Sequence, residues 1–236
     1  MCTVTFVSTK NKIIITSNRD EKLLRQNAIA PKDYLINGKK ITFPKDPKAG
    51  GTWFAVSEEG TISVLLNGAN EKHQFREKYR KSRGLIVLDI ISAENPLSAW
   101  ELIDLEVIEP FTLVLFYQNK LYQAQWDETN KTLVALNANE NYIWSSSTLY
   151  SQTIRNQRAK WFADFIENNN SLNEESLIHF HRYTQEDNKE FGLVINRNDL
   201  LKTLSVTQTV IEKNKVSLSH LDLQSEEVFS NNYTSF

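Results

Sequence analysis

Three pairs of short apolar segments in this chain are separated by only three or four residues, and a connection that short permits only antiparallel pairing. Thr3 to Val7 alternates polar and apolar, Lys12 to Ser17 is rich in β-branched residues, and Lys10-Asn11 provides the turn between them. Trp53 to Ser57 and Thr61 to Leu66 flank Glu58-Glu59-Gly60; Phe111 to Tyr117 and Leu121 to Trp126 flank Gln118-Asn119-Lys120. Further strands are expected at Leu133 to Leu136, Tyr142 to Ser145, Phe191 to Ile195, Thr203 to Glu212 and Val216 to Leu223. Residues 22–49 read as a polar loop region, with Pro31, Pro44 and Pro47 excluding long helices. Helices are expected over residues 84–93, from an Asn95 N-cap with Pro96 at N1 to about Leu105, over Gln152 to Glu167, and from Asn173 to Arg182. The order predicts an α+β fold in which 1–236 form one domain, with mainly antiparallel sheets inside and helices outside.

Charge and composition exclude several classes of function. Twenty-seven basic against twenty-nine acidic residues leave a formal charge of -2, so no global field draws in nucleic acid. The longest apolar runs, Gly84 to Leu88 and Phe111 to Phe116, fall far short of the ~20 residues of a membrane span. The first residues lack the basic, apolar and small-residue regions of a secretory signal, which predicts a cytoplasmic protein. One cysteine allows neither an internal disulfide nor a cysteine-based zinc cluster, and the four histidines show no metal-ligand spacing, so no metal is expected.

That cysteine is Cys2, directly after the initiator methionine. Removal of Met1 would give one residue both a thiol and an α-amino group, whose pKa of about 7.7 to 8.0 lets it accept the thiol proton near neutrality. This is the arrangement of an N-terminal nucleophile. The plainer reading makes Cys2 a small residue at the start of an edge strand, and S-acylation lacks a second lipid signal beside it. Asn18-Arg19-Asp20-Glu21 follows the second strand; such a run is ordinarily a solvated loop, but a hairpin of this length returns it beside Cys2. Asn67 ends another apolar strand, as a turn residue or as an amide donor to an oxyanion. Six basic residues fall within residues 71–83, forming either a solvated face or an anion-contacting rim.

Met1-Cys2-Thr3 with Asn18-Arg19-Asp20-Glu21, Gly50-Gly51-Thr52-Trp53, Leu65-Leu66-Asn67 and Ser82-Arg83-Gly84, in this order, resembles the NRDE family, which includes the transport and Golgi organisation 2 proteins. The opening is also similar to that of the N-terminal nucleophile amidases of the penicillin V acylase and bile salt hydrolase type. The resemblance implies a four-layer αββα sandwich with Cys2 as nucleophile and Asn67 as oxyanion donor. It also implies that Arg19 and Asp20 position the Cys2 thiolate and ammonium, with Asn18 next to them at the substrate or oxyanion position. Where many relatives carry a second asparagine donor, this sequence has Trp144-Ser145-Ser146-Ser147, so Ser146 would substitute.

Two functions of different class follow. One is an amidase or acylase needing no cofactor, acting on a small-molecule acyl or amide substrate through a Cys2 thioester. The other is a binding or carrier protein for haem or an acyl lipid, in which Cys2 is a ligand or a relic. A structural domain holding Arg19 and Asp20 as a buried ion pair is a third.

Overall fold

Successive hairpins build two sheets. The computed structural model describes residues 3–25, 27–169 and 171–234, so Cys2 lies outside the described residues. The strands are β1 (Thr3–Ser8), β2 (Lys12–Lys22), β3 (Ile29–Ile36), β4 (Lys39–Lys45), β5 (Phe54–Ser57) and β6 (Ile62–Asn67). Helices α1 (Arg83–Ile91) and α2 (Pro96–Leu102) precede β7 (Phe111–Tyr117), β8 (Lys120–Trp126), β9 (Lys131–Leu136) and β10 (Tyr142–Ser145). Then come α3 (Gln152–Asn168), α4 (Glu174–Tyr183), β11 (Asn196–Arg197), β12 (Leu201–Glu212), β13 (Lys215–Asp222) and β14 (Val228–Thr234).

One sheet runs β10-β1-β2-β12-β13-β14, with β11 pairing β12; the other runs from β3 to β9 in chain order. Every strand pair is antiparallel. Helix α4 packs on β2 and β12 and α3 on β10, whereas α1 packs on β5 and β6 of the other sheet. The layers are therefore helices, sheet, sheet, helices, as the αββα expectation required. Alternation along β1 and β2 divides their side chains between two cores. Val4, Phe6 and Ile15 join the large cluster against the second sheet, while Val7 and Ile14 meet Phe162, Leu177 and Phe180 under α3 and α4.

Three expectations are corrected. Residues 22–49 are not a loop: β3 and β4 form a hairpin across Asn37-Gly38, whose φ values of 51° and 80° match a two-residue turn of inverted hand. Pro31 is tolerated because β3 is an edge strand and its register shifts between Ile29 and Lys32. Asn18-Arg19-Asp20-Glu21 lies within β2 rather than in a solvated loop, and its first three residues are buried. Residues 191–195 form no strand, because their carbonyls accept from side chains: Phe191 and Gly192 from Arg158, and Leu193 from Asn18.

Candidate functional site

Because successive residues of a strand face opposite ways, the tetrapeptide on β2 serves two environments at once. Asn18 and Asp20 face the helical layer. Asn18 Nδ2 donates to the carbonyls of His181 (3.0 Å) and Leu193 (2.7 Å). Its Oδ1 is therefore the acceptor, which places the proton of His181 on Nδ1, in a very short hydrogen bond between these two side chains. His181 Nε2 then accepts from the Thr5 hydroxyl at 2.8 Å. Burial, with a smaller contribution from the Arg158 charge, depresses the His181 pKa to about 3, so the ring is neutral.

Asp20 accepts from the Tyr150 hydroxyl at 2.7 Å and from the Thr203 hydroxyl at 2.6 Å. Tyr150 in turn lies under the guanidinium of Arg158, 3.6 Å from the ring centre. Arg158, on α3 and wholly buried, donates to the Thr3 hydroxyl at 2.6 Å and to the carbonyls of Phe191 and Gly192. One buried cation thus ties α3 to the residue that follows Cys2 and, through Tyr150, to Asp20. Sequence reasoning missed both Arg158 and Tyr150, because an arginine on a polar-looking helix carries no local sign of burial.

Arg19 and Glu21 face the other sheet. The Arg19 guanidinium stacks 4.3 Å over the Trp53 ring and lies 3.7 Å from Glu21 and 4.0 Å from Asp46. Arg19 and Asp20 therefore project from opposite faces of β2, each among its own partners, in place of the buried pair offered above as a structural reading. The Trp53 indole N–H is buried without a hydrogen-bond partner among the described residues.

A cavity of about 80 Å³ opens at this face, and its wall is built from Arg19 and Glu21, Gly51-Thr52-Trp53, Leu65 and Asn67, and Ser82-Arg83-Gly84. The four motifs, up to 65 residues apart between Arg19 and Gly84, meet here. Their glycines explain how. A Cβ on Gly51 would lie 2.3 Å from the Gly84 carbonyl carbon, and one on Gly84 would lie 2.8 Å from the Thr52 oxygen. The two glycines let the β4–β5 connection touch the start of α1, where Thr52 N–H donates to the Gly84 carbonyl at 3.1 Å. Gly51→Ala is expected to lower the urea midpoint by the equivalent of about 1–3 kcal/mol, since the clash is with backbone that cannot rotate away.

Asn67 lines the cavity at the end of β6. Ser146 sits behind it: its hydroxyl donates to the Asn67 carbonyl at 2.8 Å, lies 2.9 Å from Thr148 Oγ1, and borders a neighbouring cavity of about 250 Å³ instead. Asn18 does not reach the motif cavity, since its amide is fully engaged on the helical side. Among the described residues no group of three or more His, Cys, Asp or Glu could hold a metal ion, and no helix is long and apolar enough to cross a membrane.

Known proteins share this arrangement at the level of fold. The ortholog of N-acylethanolamine-hydrolyzing acid amidase from Caenorhabditis elegans superposes with a TM-score of 0.63 at 13% identity, covering 88% of this chain and 92% of its own. A mutant conjugated bile acid hydrolase from Clostridium perfringens superposes with a TM-score of 0.60 at 11% identity, covering 100% and 98%. No curated protein sequence matches the chain significantly. Residues 1–228 match the family model described as transport and Golgi organisation 2.

Proposed function

Because the chain belongs to the transport and Golgi organisation 2 family and has the fold of N-terminal nucleophile hydrolases, we propose that it is an N-terminal cysteine amidase or acylase acting on a small acyl compound. The observation that carries the reading is the meeting of four sequence motifs around one cavity beside the end of β2, in a strand paired with the strand that Cys2 precedes. In this reading Met1 is removed and the Cys2 amine takes the thiol proton. The sulfur attacks the acyl carbonyl, and Asn67 with backbone N–H groups receives the oxyanion. Collapse of the tetrahedral intermediate breaks the C–N or C–S bond, and the leaving group takes the proton back from the amine. Water then attacks the Cys2 thioester, giving the free acid and the thiol.

Two features of the scaffold suit those roles. Asp20 is held by two hydroxyls with its carboxylate fixed in direction, as a partner for an ammonium must be. Arg19 is held flat on Trp53 at the cavity wall, and a cation there supports the reading of a thiolate nucleophile.

The test is hydrolysis of a panel of N-acyl amides and acyl thioesters of graded chain length, followed by release of the acid. Turnover by the native chain that vanishes in Cys2→Ala, with Cys2→Ser between the two, is the expected result. Turnover equal in native and Cys2→Ala protein, or none on any amide or thioester, would contradict the reading.

A further inference from the structure

Although the chain carries a formal charge of -2, five cationic side chains from three separate segments meet around one opening. Lys22 and Arg25 come from the end of β2 and its following turn, Lys48 from the β4–β5 connection, and Lys81 and Arg83 from the start of α1. The cleft they line measures about 660 Å³, and only two acidic residues, Glu21 and Glu109, share its wall. It is continuous with the motif cavity, since Glu21, Arg25, Ala49, Ser82 and Arg83 border both.

Three of the cations are fixed in place by acidic neighbours: Arg25 by Asp46 at 2.7 Å, Arg83 by Glu109 at 2.9 Å, and Lys81 by Asp89. The side-chain ammonium groups of Lys22 and Lys48 pair with no carboxylate among the described residues, only their backbone N–H groups donating to Glu21 (3.0 Å) and Asp46 (2.9 Å), and both residues are exposed. The positive end of α1 adds to the field. Its first turn holds no acidic residue, and Ser82 at the N-cap makes no side-chain capping bond. The basic run of residues 71–83 therefore divides. Its last members, Lys81 and Arg83, turn into this cleft, while Arg76 and Arg80 pair with Glu128 and Asp104 elsewhere.

We infer that this cleft binds the anionic portion, phosphate or carboxylate, of a ligand whose other end reaches the motif cavity. The second half of that statement rests on the proposed acyl chemistry; the anion site itself does not. A cationic group would meet an unfavourable field here and a neutral one would gain nothing from it, whereas a group with two or more anionic oxygens would be drawn in and held by Lys22 and Lys48 against the fixed cations.

The test is titration calorimetry of the full chain at low ionic strength with inorganic pyrophosphate in one arm and citrate in the other, using native protein, Cys2→Ala and the double variant Lys22→Glu/Lys48→Glu. Saturable binding of either probe is expected, weakening with added salt, unchanged in Cys2→Ala and weakened about tenfold or more in the double variant. Preference for pyrophosphate identifies phosphate as the natural chemistry, and preference for citrate identifies carboxylate. Absence of binding by both probes at millimolar concentration, or an affinity unmoved in a double variant that keeps its native melting temperature, overturns the inference. Binding that persists in a chain without acyl-transfer activity would retain the anion site while removing the enzyme reading, so the two can fail separately.

Discussion

Acidification from pH 7 to about pH 5 is expected to remove about 4 kcal/mol of stability, well before most carboxylates titrate. The cause is two imidazoles held neutral in the interior. His181 is depressed to about 3 by burial first and the Arg158 charge second. His220 is depressed to about 4 by burial, with Asp222 opposing and the Arg19 charge assisting. In the unfolded chain both titrate near about 6.5. Their folded pKa values lie below the unfolded ones, so the stabilising term is fully present above about pH 6.5 and is lost as pH falls toward the folded values. The difference in bound protons is about one at pH 6.5 and approaches two near pH 5, where the slope reaches about 2.7 kcal/mol per pH unit. Urea unfolding at a series of pH values measures this directly. His181→Gln, which keeps a donor and an acceptor between Asn18 and Thr5, is expected to reduce the slope by about half over that range. Stability unchanged between pH 7 and 5 would mean that the rings are not sequestered.

Arg158→Met is the second large effect. A buried cation with no carboxylate partner among the described residues has a high desolvation cost, and an apolar replacement can sometimes be neutral for that reason. Here three acceptors depend on the guanidinium: the Thr3 hydroxyl and the carbonyls of Phe191 and Gly192. Each buried group left without a partner costs about 1–3 kcal/mol, so the net loss is expected to reach about 3 kcal/mol or more. For a chain of 236 residues that corresponds to a fall in melting temperature of about 10 °C. The loss should be accompanied by faster amide exchange in β1 and residues 191–195, which Arg158 links, with β7 and β8 unaffected. Equal melting temperatures for the two proteins would show that the hydrogen bonds merely offset desolvation.

Hairpin spacing made most of the fold legible. Three or four residues between apolar runs admit one pairing, and β1, β2, β5, β6, β7 and β8 follow from it, as does α2 from its Asn95 cap, whose side chain accepts from Leu97 and Ser98 N–H. The errors have specific causes. Pro31, Pro44 and Pro47 made residues 22–49 read as a loop, whereas Pro31 sits on edge strand β3 and Pro44 on β4 opposite the register shift of β3, two places where a sheet tolerates proline. Strand β14, VFSNNYT, carries too many polar residues to read as a strand, because only alternate positions touch its neighbour's face.

The site was legible as motifs and not as a geometry. Arg19, Asn67 and the glycines of the two other motifs do converge, but the sequence gives no sign that Asn18 is occupied by a histidine 163 residues away. Nor does it show that Ser146 is tied to the Asn67 carbonyl. Those partners come from elements that meet only after both sheets have formed. Polar residues on β2 look solvated until the helical layer that covers them is in place.

The central claim, that residue 2 is a reactive N-terminal thiol, is tested most directly by intact mass. The purified chain is weighed before and after brief exposure to a thiol-directed acylating reagent near neutral pH, with Cys2→Ala in parallel. The account predicts a native chain lacking Met1 that takes a single acyl group much faster than free cysteine does, and a Cys2→Ala chain that takes none. A native chain that retains Met1, or that is acylated no faster than free cysteine, would contradict it.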